Sequence, residues 1–176
     1  MRKAGKAGTW YPEDKDVLLS DITGWFEKIT TSVSNPRIVI VPHAGFQYSG
    51  FTAAHSYKHI QNAKKVLLLH PSHHTFLHRL HQTPYDHVDT PLGPLERDRL
   101  YGIKESSPQV DSTEHSAELQ FPFLKYINVE TLATVMVGHT WMDIDFKMIV
   151  DYVNDNKDVV IVVSSDFCHY GPNYQF

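Results

Sequence analysis

Twelve of the 176 residues are histidine, against sixteen lysines and arginines together, and several of the histidines stand directly behind apolar runs. VPHAG carries His43, LHPSHH carries His70, His73 and His74, VGH carries His139, and SSDFCHYG carries Asp166, Cys168 and His169. Neutral imidazole is the commonest protein ligand for transition metals, and a site of two or three such ligands leaves a coordination position open for chemistry. A further histidine oriented by a carboxylate, as Asp166 can orient His169, moves protons near neutral pH. Cys168 adjoins His169, but sequence neighbours point in different directions, so the two do not make a convincing nucleophile pair. His59, His78, His81 and His87 need no more than ordinary hydrogen bonding, and His55 reads as a helix-face residue.

The elements that must deliver these groups are visible as four apolar runs: RIVIV (37–41), KVLLL (65–69), LATVMV (132–137) and DVVIVV (158–163). Runs of Val, Ile and Leu without alternation are expected of strands buried on both faces of a helix-covered sheet. Between them, residues 14–29, 49–60, 114–127 and 143–156 read as helices, with Ser49 as N-cap of the second and Pro122 kinking or ending the third. The alternation predicts an α/β fold with a mostly parallel or mixed central sheet flanked by helices on both faces. Residues 77–108, rich in Pro, His, Asp and Arg, read as an excursion, a hairpin or flap, within a single domain spanning 1–176. In open α/β sheets ligands bind beyond the carboxyl ends of the strands, so histidines at four strand ends are expected to meet in one crevice.

Composition narrows the partners. A net charge of −4 with no long basic run gives no field for nucleic acid or anionic lipid. No apolar run approaches the roughly 18 residues that span a bilayer, and one cysteine suits a reducing compartment, so a cytoplasmic protein without nucleic-acid or membrane partners is expected. Trp10 and Tyr11 read equally as core anchors or as a pocket wall.

Six blocks in order, AGTWYP, VPHAGFQYSG, HPSHH, TPLGPLERD, EHSAELQFPFL and SSDFCHYG, resemble the signature blocks of the Memo family, a mediator of receptor-driven cell motility in eukaryotes that is also widespread in archaea and bacteria. The resemblance covers essentially the whole chain. It implies a fold similar to the class III extradiol dioxygenases, non-haem iron enzymes that open catechol rings. It further implies that His43 and His73 are metal ligands, that His169 with Asp166 occupies the acid/base position, and that Trp10, Tyr48 and His115 line the substrate pocket. Position 70 is histidine where the family usually has glycine. The family also continues for about a further third, which supplies a cysteine as third metal ligand, so the chain is expected to be truncated within the domain.

The expected function is a metal-binding protein with a non-haem iron dioxygenase-like site, an iron or copper ion as cofactor and metal-dependent redox activity. Two other classes fit the same residues. One is a non-catalytic module that receives a small molecule or a phosphotyrosine peptide in the crevice; the other is a zinc-dependent hydrolase, although no HExxH-type signature is present.

Overall fold

The computed structural model describes residues 1–167 and 170–172. The fold is α/β, built on a mixed sheet with helices on both faces. The strands β1 (Ile38–Val41), β8 (Val160–Ser164), β2 (Lys65–Pro71) and β7 (Thr131–Val137) run parallel and lie side by side in that order. These are the four apolar runs. β2 and β7 are buried on both faces, and their seven-residue pairing runs from Lys65 opposite Thr131 to Pro71 opposite Val137.

The excursion from residue 77 joins the sheet rather than covering it as a flap. β3 (Leu80–Gln82) pairs antiparallel with the carboxyl end of β7, and β5 (Leu95–Arg97) pairs parallel with its amino end. β4 (His87–Val88) forms a short hairpin with β5, and β6 (Lys104–Glu105) extends the edge beyond β3. Strands of two or three residues carry no periodic pattern, which is why composition alone marked this segment as irregular.

α1 (Lys15–Lys28), α2 (Phe46–His59) and α4 (Phe121–Tyr126) cover one face. Asp14 caps α1 by accepting from the backbone N–H groups of Asp16 and Val17, and the helix then buries Leu18, Ile22 and Phe26 at helical spacing. α5 (Asp143–Asp155) covers the other face, laying Met148, Ile149, Tyr152 and Val153 over Leu67, Ala133 and Val135. No helix among the described residues is long and apolar enough to cross a membrane.

Three expectations change. Helix α2 begins at Phe46, with Gly45 at its N-cap position; Ser49 lies in the first turn and donates back to the carbonyl oxygen of Ala44. The predicted helix over 114–127 reduces to a 3-10 turn at Glu118–Gln120 followed by α4; residues 114–117, which link it to an earlier helix α3 (Pro108–Thr113), lie outside any helix. Pro122 opens α4 rather than ending a helix, because a first-turn residue has no intrahelical partner for an N–H. Finally, β1 is buried on one face only: Val39 and Val41 face the core, whereas Ile38 and Ile40 are exposed.

Candidate metal centre

Three chain segments bring imidazoles together beyond the carboxyl ends of β1 and β2. His43 follows β1 by two residues, and Asp166, two residues past β8, accepts its backbone N–H through Oδ1 at 2.7 Å. His73 follows Pro71, whose missing N–H ends the ladder and lets the chain turn away. His115 arrives from the irregular stretch between α3 and the 3-10 turn. The ring centroids of His43 and His73 are 5.1 Å apart, those of His73 and His115 4.5 Å, and those of His43 and His115 5.6 Å. One ligand atom from each lies within 4.8 Å of the other two. Nitrogens bound to one ion at about 2.1 Å stand roughly 3.4 Å apart, so side-chain shifts of an ångström or so would close the set on a single ion.

The end of α3 at Glu114 makes this delivery possible. Glu114 is extended, with φ −74° and ψ 133°, and its Oε1 accepts from the backbone N–H groups of His115 and Ser116, both at 2.9 Å. That side chain gives the backbone an alternative to helical pairing and turns His115 toward His73. The same carboxylate accepts from the backbone N–H of His73 at 2.6 Å through Oε2 and lies 2.9 Å from His73 Nδ1 through Oε1. Burial alone would raise the pKa of Glu114, but the N–H groups of His73 and Ser116 outweigh it and hold the carboxyl well below the usual range. A buried anion therefore stands directly behind two of the three imidazoles.

Burial also lowers the pKa of His115 to about 4, with Glu114 opposing and the neighbouring histidines 73, 43 and 74 reinforcing the shift. At neutral pH this ring is uncharged, which is the form a metal requires. Donor type, spacing and charge thus fit a divalent transition metal.

The other expected residues fall into place around this cluster. The Trp10 ring covers His115 at a centroid distance of 4.7 Å. Tyr48, in the first turn of α2, is 79 % exposed. His74 lies further out, 5.7 Å from His115 and 6.5 Å from His73 between ring centroids. His70, the departure from the family pattern, is buried behind the site with Nδ1 2.9 Å from Ser116 Oγ. His139 does not join the crevice: its ring stacks on Phe76 at 4.6 Å, and its backbone N–H donates to the carbonyl oxygen of Leu77. The expectation that all four strand ends contribute histidine to one site is corrected to that extent. His169 and Cys168 lie outside the described residues. Asp166, expected to orient His169, holds His43 through its backbone and approaches His43 Nε2 with Oδ2 at 3.8 Å.

Sequence reasoning missed Glu114, Ser164 and Gln120. Glu114 is the first letter of the EHS block, and a carboxylate directly before a pocket histidine was the available signal. Ser164 and Gln120 had none, because their roles depend on contacts across 121 and 44 positions.

Relatives match over the same span. A model of the family described as Memo-like protein matches residues 2–176. Protein MEMO1 of Xenopus tropicalis is 33% identical over 193 aligned residues, covering 99% of this chain and 65% of the relative. Protein MEMO1 of Homo sapiens is 32% identical with the same coverage. The MEMO1 family protein MHO1 of Saccharomyces cerevisiae is 33% identical over 208 residues, covering 100% of this chain and 61% of its own length. The chain spans about two thirds of the length of these relatives. From the ordered blocks and this end-to-end match, the chain belongs to the Memo-like protein family.

Proposed function

We propose that this protein binds a redox-capable transition-metal ion, iron or copper, in a dioxygenase-like site, with His43 and His73 as ligands and His115 as the third imidazole. The observation that carries the reading is the convergence of these three rings from separate segments, with ligand atoms within 4.8 Å of one another. It revises the part expected of His115, from a wall of the substrate pocket to a member of the ligand set. An all-imidazole set suits iron, copper and zinc alike, and an ion bound by three protein nitrogens keeps positions open to polarise or oxidise a bound molecule.

The chain's own residues supply the rest. Asp166 fixes the backbone of His43. Trp10 shields one side of His115 from water. His169 is the acid/base residue in this reading, supported by its place in the SSDFCHYG block. A single cysteine is compatible with work in a reducing cytoplasm.

The test is metal analysis of untagged protein, wild type against the His43→Ala/His73→Ala double variant. Stoichiometric iron or copper in the wild type and little in the variant is expected; equal, near-zero content in both sinks the reading. Oxygen-dependent cleavage of catechols then separates an enzyme from a carrier, and zinc as the tightly held ion would favour a hydrolase.

The exposed rings of Trp10 and Tyr48 favour a second reading, in which an aromatic ligand such as a phosphotyrosine side chain is received without chemistry. A phosphotyrosine peptide that binds metal-free and metal-loaded protein equally would support it.

A further inference from the structure

An imidazole binds an ion only through a nitrogen that carries no proton, so each ligand histidine must be held in one of its two tautomers. For His43 the tautomer follows from a chain of hydrogen bonds behind the ring. Gln120 Nε2 lies 3.0 Å from the carbonyl oxygen of Pro42 and 3.0 Å from Ser164 Oγ, while the Tyr57 hydroxyl donates to Gln120 Oε1 at 2.8 Å. A carbonyl oxygen only accepts, so the amide nitrogen faces that way and donates to both oxygens. The one hydroxyl proton of Ser164 goes to the carbonyl oxygen of Ser116, 2.7 Å away. Only a lone pair of Ser164 Oγ then remains for His43 Nδ1 at 2.8 Å, and this nitrogen must carry the proton. In the neutral ring Nε2 then carries no proton, and Asp166 Oδ2 stands 3.8 Å from it.

His73 reaches the same state by a shorter route. Its Nδ1 lies 2.9 Å from Glu114 Oε1, and an ionised carboxylate has nothing to donate. The backbone N–H groups of His73, His115 and Ser116 also point at this carboxylate, which leaves it an acceptor on every side. The proton of His73 therefore sits on Nδ1.

We propose that Glu114 and Ser164 are positioning residues of the metal centre: before any ion arrives, they set His73 and His43 in the Nδ1–H form, so that both present a proton-free Nε2 to the space shared with His115. Tyr57 and Gln120, fully buried on α2 and in the 3-10 turn, fix the direction of the Ser164 hydroxyl. The site is then ordered in its proton positions as well as its ring positions. This inference rests on the metal-binding reading above, and its test separates the two.

Nitrogen–proton correlation spectra of isotope-labelled, metal-free protein near pH 8 report the tautomer of each histidine directly. Wild type is expected to show Nδ1–H at His43 and His73. Ser164→Ala is expected to give mixed tautomers at His43 and to weaken Co²⁺ binding about 10- to 100-fold, the usual effect of losing such a partner, while Ser164→Thr restores both. Glu114→Gln is expected to do the same at His73, because an amide can donate as well as accept. Nε2–H at either ring in wild type overturns the proposal. So does Ser164→Ala protein that is less stable but unchanged in tautomer and in Co²⁺ affinity, since that is the result of a merely structural serine. Wild type with the expected tautomers that takes up no Co²⁺ overturns the metal reading instead and leaves the tautomer assignment standing.

Discussion

His70 is fully buried behind the metal centre, and burial lowers its pKa from 6.5 to about 4, with Glu114 opposing the shift and Arg2 and His43 adding to it. The unfolded chain, with an ordinary histidine, binds a proton below pH 6.5 that the folded chain refuses until about pH 4. Stability from this residue is therefore complete above pH 6.5 and falls as the pH drops toward 4, by about 3 kcal/mol in all. His115 acts in the same direction over the same window. Thermal midpoints measured from neutral pH downward should fall through this window in wild type and fall less steeply in His70→Asn, whose amide keeps a donor near Nδ1. Equal slopes would remove His70 from the account. At this scale His43 and His73 were legible because each ends an apolar run, and a strand end is a local feature. Glu114 was not read, because its work joins positions 41 residues apart and its place directly before His115 was the one local signal for it.

Among the elements, helices with a capping residue and an apolar stripe were readable, and those interrupted by a side chain were not. The stretch from residue 114 has helical spacing, but Glu114 takes the N–H groups of His115 and Ser116 through which α3 would otherwise continue, and the interruption is what carries His115 into the site. The contact between α1 and α2 depends on one residue without a side chain. A Cβ on Gly50 would lie 2.4 Å from Trp25 Cη2 and 2.8 Å from Cζ3, so this pair of helices packs only because a hydrogen occupies that point. Trp25 in turn touches Phe46 and Phe123, which ties α1 to α4 as well. Gly50→Ala gains up to about 1 kcal/mol of helix propensity. It must also displace a large ring in a filled core, at a cost of about 1–3 kcal/mol. The expected outcome is a lower denaturation midpoint in urea, partly recovered by Trp25→Phe; an unchanged or higher midpoint would show that α1 can shift freely on α2.

At the scale of the whole molecule, four runs of similar composition end up in unequal surroundings, because their order in the sheet is set by long-range pairing that local sequence does not encode. β2 and β7 are central, whereas β1 is at the end of the sheet. Ile38 and Ile40 stand opposite Ile161 and Val163 of β8 on the face covered by α5, but α5 lies over β2 and β7 and does not reach them. Ile38 is 58 % exposed and Ile40 47 %. Met142 at the N-cap of α5 and Phe146 and Val150 within it are also exposed and recur at four-residue spacing, so they form one apolar stripe. At the carboxyl end of the strands this face opens into a cavity of about 400 Å³ lined in part by Leu69, Val137 and Val163. An open, largely apolar face beside a strand that pairs on one side only among the described residues binds hydrophobic dyes and favours self-association, since apolar area awaits cover. Replacing Ile38 and Ile40 with lysine places two charges where the side chains already meet water, so the fold should lose less than about 1 kcal/mol. Wild type is expected to enhance the fluorescence of an apolar dye and to sediment faster as concentration rises. The Ile38→Lys/Ile40→Lys variant should do both to a smaller degree at nearly the same thermal midpoint, and dye binding and sedimentation that match wild type would show that this face is not the adhesive one.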